Sequence, residues 1–194
     1  MAYIARVSNP KNQDNDQYEG LLKYMIEHSH WSPFEQAYMT IEIQTSLAIA
    51  TQILRHRSFT YQQFSQRYAD PEDQGDMFEY SEARLQDPKN RQNSIEVEDK
   101  KLQQEWEWAQ MRIAYHAKKE YDWAIKKGIA KEQARKVLPE GLTKTTLYMN
   151  GTLRSWVHYI ELRGANGTQK EHMEIAHACA DVISNIFPLA KELN

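Results

Sequence analysis

Residues 37–45 alternate cleanly, with Met39, Ile41 and Ile43 on one face and Thr40, Glu42 and Gln44 on the other. A strand covered on one side requires that pattern. The period then changes. Ser46 is placed to cap a largely apolar helix carrying Leu47, Ile49, Ala50, Ile53 and Leu54, which runs into a basic stretch at 55–68. On that helix Gln52 and Arg55 share a face and His56 lies one turn past Gln52, so the helix is expected to deliver all three to one place.

Upstream, residues 3–8 are β-prone and closed by Asn9-Pro10, which predicts a short strand. Tyr18, Leu21, Leu22 and Met25 fall at helical spacing, giving a helix that ends near His28. Ser32-Pro33-Phe34-Glu35 has the form of a capping box opening a helix. Downstream, the polar tract 70–94 reads as a long loop with one helical turn around 78–85. A long helix follows, with Leu102, Trp106, Ala109, Ile113 and Ala117 as its apolar stripe, stopping at Gly128. Residues 131–137 predict a short helix that presents Arg135, and 143–149 a second strand. Asn150-Gly151 marks a turn, and Thr152 then caps a helix burying Leu153, Trp156, Val157 and Ile160, with Arg154 and His158 together on another face. Asn166-Gly167 breaks that helix. A second capping box, 168–171, opens an Ala-rich helix ending before Pro188. Helices clustered around a few strands, without strict βα alternation, predict an α+β fold with a small mixed or antiparallel sheet.

Composition narrows the chemistry. At 194 residues the chain is long enough for one compact domain, 1–194, with a sizeable core. The single cysteine, Cys179, excludes an intrachain disulfide framework and a cysteine-based zinc cluster, and sits in an Ala-rich helix as an inert thiol. Seven histidines are present, but no H-E-x-x-H, and neither His28 with His30 nor His172 with His177 has supporting ligands, so no metal site is expected. A membrane span and a signal sequence are both unrecognisable, which points to a soluble, cytoplasmic protein. There is no G-x-S-x-G elbow, no Walker loop and no G-x-G-x-x-G fingerprint.

The basic stretch carries the remaining chemistry. Arg55, His56, Arg57, Ser65 and Arg67 stand among Phe59, Tyr61, Phe64 and Tyr68, so guanidiniums for phosphate or carboxylate alternate with flat faces for heterocycles. Arg135, Arg154, His158 and Arg163 add cationic groups elsewhere. An anionic, ring-bearing ligand suits this set. The competing class is a module that grips single-stranded nucleic acid, but the net charge of −3 and one isolated basic segment argue for a local anion site.

Arg55-His56-Arg57, seven residues, then Ser65 and Arg67 resembles the signature of flavin-dependent thymidylate synthases. Further blocks match in order: 5–8, 30–34, Gln52, 134–139 and 154–163. The resemblance implies a homotetramer with active sites shared between subunits, FAD as tightly bound cofactor, and dUMP, NADPH and methylenetetrahydrofolate as substrates, with no nucleic-acid partner. By similarity Ser8, Ser32, Arg55, His56, Arg57, Gln63, Thr152, Arg154 and His158 would contact FAD. Gln52, Arg55, Gln63, Phe64, Ser65, Gln66, Arg67 and Arg135 would hold dUMP. Arg163 matches the arginine that binds the uracil and promotes ionisation of its N3, and His30 a histidine near the flavin where folate enters. Gln63 stands where many members carry Glu, and Thr152 where Asn is common. A guanidinium beside the imide would favour its anion by charge and hydrogen bonding, so no enzyme nucleophile is expected and Ser65 is read as a phosphate ligand.

Overall fold

A computed structural model describes residues 1–189. In chain order its elements are α1 (Ala2–Ala5), α2 (Glu19–Glu27), β1 (Tyr38–Ser46), α3 (Leu47–Ile53), β2 (Thr60–Gln63), β3 (Arg84–Gln86), β4 (Ser94–Glu96), α4 (Lys100–Lys126), α5 (Lys131–Ala134), β5 (Lys144–Thr152), α6 (Leu153–Arg163) and α7 (Lys170–Ser184). Short 3-10 helices lie at Pro10–Asn12, Ser32–Glu35, Pro71–Gln74 and Arg135–Val137. The strands form a sheet of order β1-β5-β2 and a separate antiparallel β3-β4 hairpin, so the α+β expectation holds. The chain divides into two compact units, one built from Met1–Ile41, His56–Thr60 and the described part of Met149–Asn194, the other from Glu42–Arg55 and Tyr61–Tyr148.

In the first unit α6 packs on α7. The core there contains Leu22, Met25, Phe34, Trp156, Val157, Ile160, Ile183 and Phe187, all buried. Leu153, Trp156, Val157 and Ile160 face inward as their spacing requires, and the Thr152 hydroxyl caps the helix by accepting from the Ser155 N–H. In the second unit Ile43, Ile49, Ile53 and Leu147 are buried, and Met77, Tyr121, Ala124 and Ala134 form a cluster with Phe78, Ile125 and Leu138 against it. Gly128 ends the α4 region with φ of 78°, a left-handed conformation that favours glycine.

Several local expectations are overturned. Residues 3–8 are not a strand: α1 and a following turn occupy them, with Tyr3, Ile4 and Val7 exposed. Arg6 anchors that turn, its guanidinium donating to the carbonyls of Asn15 and Gln17. Neither proposed capping box closes. Glu35 pairs with Arg154, and Ser32 opens only a 3-10 helix without a side-chain cap. The Thr168 hydroxyl turns to the Leu162 carbonyl and Glu171 accepts from the Gln169 amide, so α7 starts after Gln169. Asn150-Gly151 is not a turn. Both residues lie in β5, where the Asn150 amide donates to the Thr40 hydroxyl at 2.7 Å and Gly151 lets the Phe59 ring approach the backbone.

The tract 70–94 holds its helical turn at Pro71–Gln74, not at 78–85, under a reciprocal Asp70/Asp73 cap, and contains β3 and the start of β4. The long helix is confirmed, but its buried side is Gln110, Ala114, Ala117, Tyr121 and Ala124, whereas Trp106 and Ile113 are exposed. Polar Gln103 and Gln110 belong to the covered side because their amides clasp the backbone of Ala83 and Ser81. Hydrogen bonding outranks apolarity there. α3 ends at Ile53, so Arg55 and His56 stand beyond its C-terminus rather than on its face.

Candidate active site

Within the first unit the site is set by α6 and by the five-residue segment that begins at His56. Arg163, in the last turn of α6, donates from Nε to His56 Nε2 at 2.8 Å. His56 must therefore keep a lone pair on Nε2 and, as a neutral ring, carry its proton on Nδ1. Burial and then the Arg163 charge lower its pKa below the usual histidine value, which maintains that acceptor. The His56 ring stands edge-on to Tyr159, centroids 4.9 Å apart, and the Tyr159 hydroxyl meets His172 Nε2 at 3.1 Å. Burial, followed by the charges of Arg163 and His56, pushes His172 down to about 4.

The other flavin-side candidates of this unit are more open. Arg57, Arg154, His158, Ser8, Ser32 and His30 are exposed, and Thr152 is half-buried. Arg154 and Glu35 form an ion pair, His158 Nδ1 lies 3.6 Å from Glu161, and the His158 ring meets Trp31 edge-on at 4.5 Å. His30 lies near a stacked Tyr24–His28 pair, its ring 6.0 Å from that of Tyr24. Ser8 and Ser32 are on separate turns, and no contact joins either to the Arg163–His56 pair among the described residues. The Ser155 hydroxyl donates to the Ser58 carbonyl at 3.2 Å, tying the His56 segment to α6.

The second unit holds Gln52, Arg55, Arg135 and the loop after β2. Phe64 N–H donates to the Thr146 carbonyl, and the N–H groups of Tyr68 and Ala69 both reach the Ser65 carbonyl, closing a turn over 65–69. Gln63 donates from Nε2 to the Thr145 hydroxyl at 3.3 Å. Gln66 is buried, and its Nε2 has no hydrogen-bond partner, a costly state for a buried amide. Arg67 lies 3.6 Å from Glu132 and 5.5 Å from the Tyr68 ring, both exposed contacts of small energetic weight. Among the described residues the side chains of Arg55, Arg57 and Arg135 have no carboxylate partner, so these cations are available to an anion.

The arginines, the turn over 65–69 and the orphaned Gln66 amide fit phosphate-bearing ligands such as FAD and dUMP. Tyr159 and His172 were not anticipated as parts of a site. Their separation of 13 residues matches no ligand motif, and His172 draws notice in the sequence only as a histidine without metal-binding company. Cys179 is buried, and burial raises its thiol to about 12, which removes it as a nucleophile. Among the described residues no group of three histidine, cysteine or carboxylate side chains could hold a metal, and no helix is long and apolar enough to cross a membrane.

Comparison with known proteins places the α+β chain in a class. The family described as "Thymidylate synthase complementing protein" matches residues 1–189. The chain is 50% identical over 196 aligned residues to a probable flavin-dependent thymidylate synthase of Paramecium bursaria Chlorella virus 1, covering all of this chain and 89% of that one. It is 48% identical to the flavin-dependent thymidylate synthase of Synechocystis sp., covering 97% of this chain and 85% of the relative. The chain therefore belongs to the flavin-dependent thymidylate synthase family. Its fold is shared with a UMP/dUMP methylase, PolB of Streptomyces cacaoi, solved with 5-Br dUMP, at a TM-score of 0.80 and 24% identity over 99% of this chain and 87% of that one.

Proposed function

We propose that this enzyme converts dUMP to dTMP, taking the one-carbon unit from methylenetetrahydrofolate and the completing hydride from FAD reduced by NADPH. The observation that carries the reading is the Arg163–His56 pair, a guanidinium fixed through Nε whose two terminal nitrogens meet no hydrogen-bond partner among the described residues. Those nitrogens would donate to the uracil imide and stabilise its anion, which raises electron density at the carbon to be alkylated. Arg163 is a charge stabiliser here and not a base. The inert state of Cys179 supports a route in which no side chain attacks the ring.

Arg55, Arg67 and Arg135, with Ser65 and Gln66, would hold the dUMP phosphate and sugar, and Gln52, Gln63 and Phe64 the base. Arg57, Arg154, His158, Thr152, Ser8 and Ser32 would hold FAD, together with His56, Arg55 and Gln63. His30 would border the folate entry. FAD supplies hydride transfer when bound. The working enzyme is proposed as one domain in a cytoplasmic homotetramer, and the exposed Trp106, Trp108, Ile113 and Trp123 of α4 are apolar surface suited to subunit contact.

The test is an anaerobic assay with FAD, NADPH, methylenetetrahydrofolate and dUMP, reading dTMP directly. Wild type should form dTMP and Arg163→Ala should lose at least about a hundredfold in kcat, the scale of removing a preorganised charge donor. NADPH oxidation without dTMP would reject the methylation reading.

A further inference from the structure

Two buried polar residues behind Arg163 have no part in the reaction as described above. Tyr159 and His172 are 1% and 0% exposed, and their hydroxyl-to-imidazole hydrogen bond of 3.1 Å joins α6 to α7. Burying such groups is unfavourable compared with an apolar pair unless their geometry serves something else. Both rings bear on His56: Tyr159 edge-on at 4.9 Å and His172 at 6.2 Å with planes at 90°. His56 in turn holds Arg163 at 2.8 Å.

The order of contacts has a chemical consequence. A guanidinium is planar, so a bond at Nε sets the plane in which its two terminal nitrogens lie. That bond is directed only if the His56 ring is held with the Nε2 lone pair towards Arg163. His56 follows the end of α3 and is in no regular element, so its orientation depends on side-chain packing. Tyr159 meets the ring edge-on, packed also against Phe59 and Trp156, and its hydroxyl is tied to His172 Nε2. We propose that Tyr159 and His172 are positioning residues that aim Arg163 through His56. This rests on the reading of Arg163 as the group facing the uracil imide.

The experiment uses the FAD-loaded enzyme with 5-bromo-dUMP, whose imide ionises more readily than that of dUMP and changes its ultraviolet absorbance on doing so. Binding to wild type should raise its ionisation constant by about tenfold or more, equivalent to about one pKa unit. Tyr159→Phe keeps the ring and severs the bond to His172; it should remove at least about half of that shift and lower kcat more than it changes KM for dUMP, with FAD content unchanged. His172→Gln keeps a hydrogen-bonding partner for Tyr159 and should behave nearly as wild type, whereas His172→Phe should resemble Tyr159→Phe. A Tyr159→Phe enzyme with the full wild-type shift overturns the positioning role, whether or not His172→Phe folds. If wild type itself shows no shift, or Arg163→Ala retains it, the assignment of Arg163 to the imide is what fails, and the positioning role falls with it.

Discussion

Gly151→Ala is the substitution for which the structure gives the clearest expectation. A Cβ built on Gly151 would lie 2.5 Å from Phe59 Cδ1 and 2.7 Å from Cε1, against an ordinary contact of 3.4–4 Å. The ring would have to retreat by about 1 Å, and close packing leaves it nowhere to go. Phe59 is buried, edge-on to Trp156 at 4.9 Å and to Tyr159 at 5.9 Å, and Trp156 is fully buried with its indole N–H donating to the Met39 carbonyl. Overpacking of this kind costs about 1–3 kcal/mol, so we expect about 2 kcal/mol and a fall of roughly 4–8 °C in Tm. Urea melts followed by circular dichroism at one fixed protein concentration measure it, because any oligomer makes stability concentration-dependent. The mechanism is isolated by Phe59→Leu, which removes the clashing ring edge. In the double variant the two costs should fall short of their sum by at least about 0.5 kcal/mol. A Gly151→Ala protein as stable as wild type, or strictly additive costs, would refute the steric argument.

Stability should also fall with acid through His172. Folded, it takes a proton only near pH 4; unfolded, near the ordinary histidine value of 6.5, so the unfolded chain binds more protons between those values. The folded state is fully stabilised above about pH 6.5 and loses stability as pH falls towards 4, by about 2 kcal/mol after allowance for screening, and the lowered pKa of His56 acts in the same direction. His172→Gln should flatten that part of a stability profile. Thr152→Ala removes the α6 cap and should cost about 1 kcal/mol in the same melts. Glu35→Ala breaks only an exposed pair and should change stability by less than about 1 kcal/mol, a larger loss meaning that the pair is structural. Cys179 should resist a thiol reagent in the folded protein and react stoichiometrically in urea; rapid native labelling would contradict its burial.

The parts of the fold legible in the sequence were those with a sustained period. β1 alternates without interruption, α6 shows its buried side through four correctly spaced apolar residues, and α2 shows its own through Leu22 and Met25. β2, β3 and β4 are only three or four residues long, too short for alternation to register, and β2 is concealed in the basic stretch. α1 misleads because Tyr3, Ile4 and Val7 have β propensity but are exposed and, among the described residues, pair with no strand. Gly151 misleads differently, since Asn-Gly signals a turn and here serves close approach of a ring. Among the site residues, the arginines were visible as a cluster. The Tyr159–His172 bond was not, because a contact between two helices leaves no spacing signature in either.

The division of the chain constrains how the protein can be made. The first unit draws on three separate stretches and the second on two, with His56–Thr60 belonging to the first unit although the segments before and after it belong to the second. No single cut releases either unit whole, so fragments split anywhere between 61 and 148 would each carry parts of both. α6, which supplies Arg163, Trp156 and Tyr159, leaves the ribosome after the entire second unit has been synthesised. The His56 segment must therefore wait through some ninety residues of synthesis, about 5–20 s at typical rates of elongation, before its buried partners exist. Maturation of the site is thus a late, whole-chain event, and the nascent protein exposes Phe59 throughout that interval.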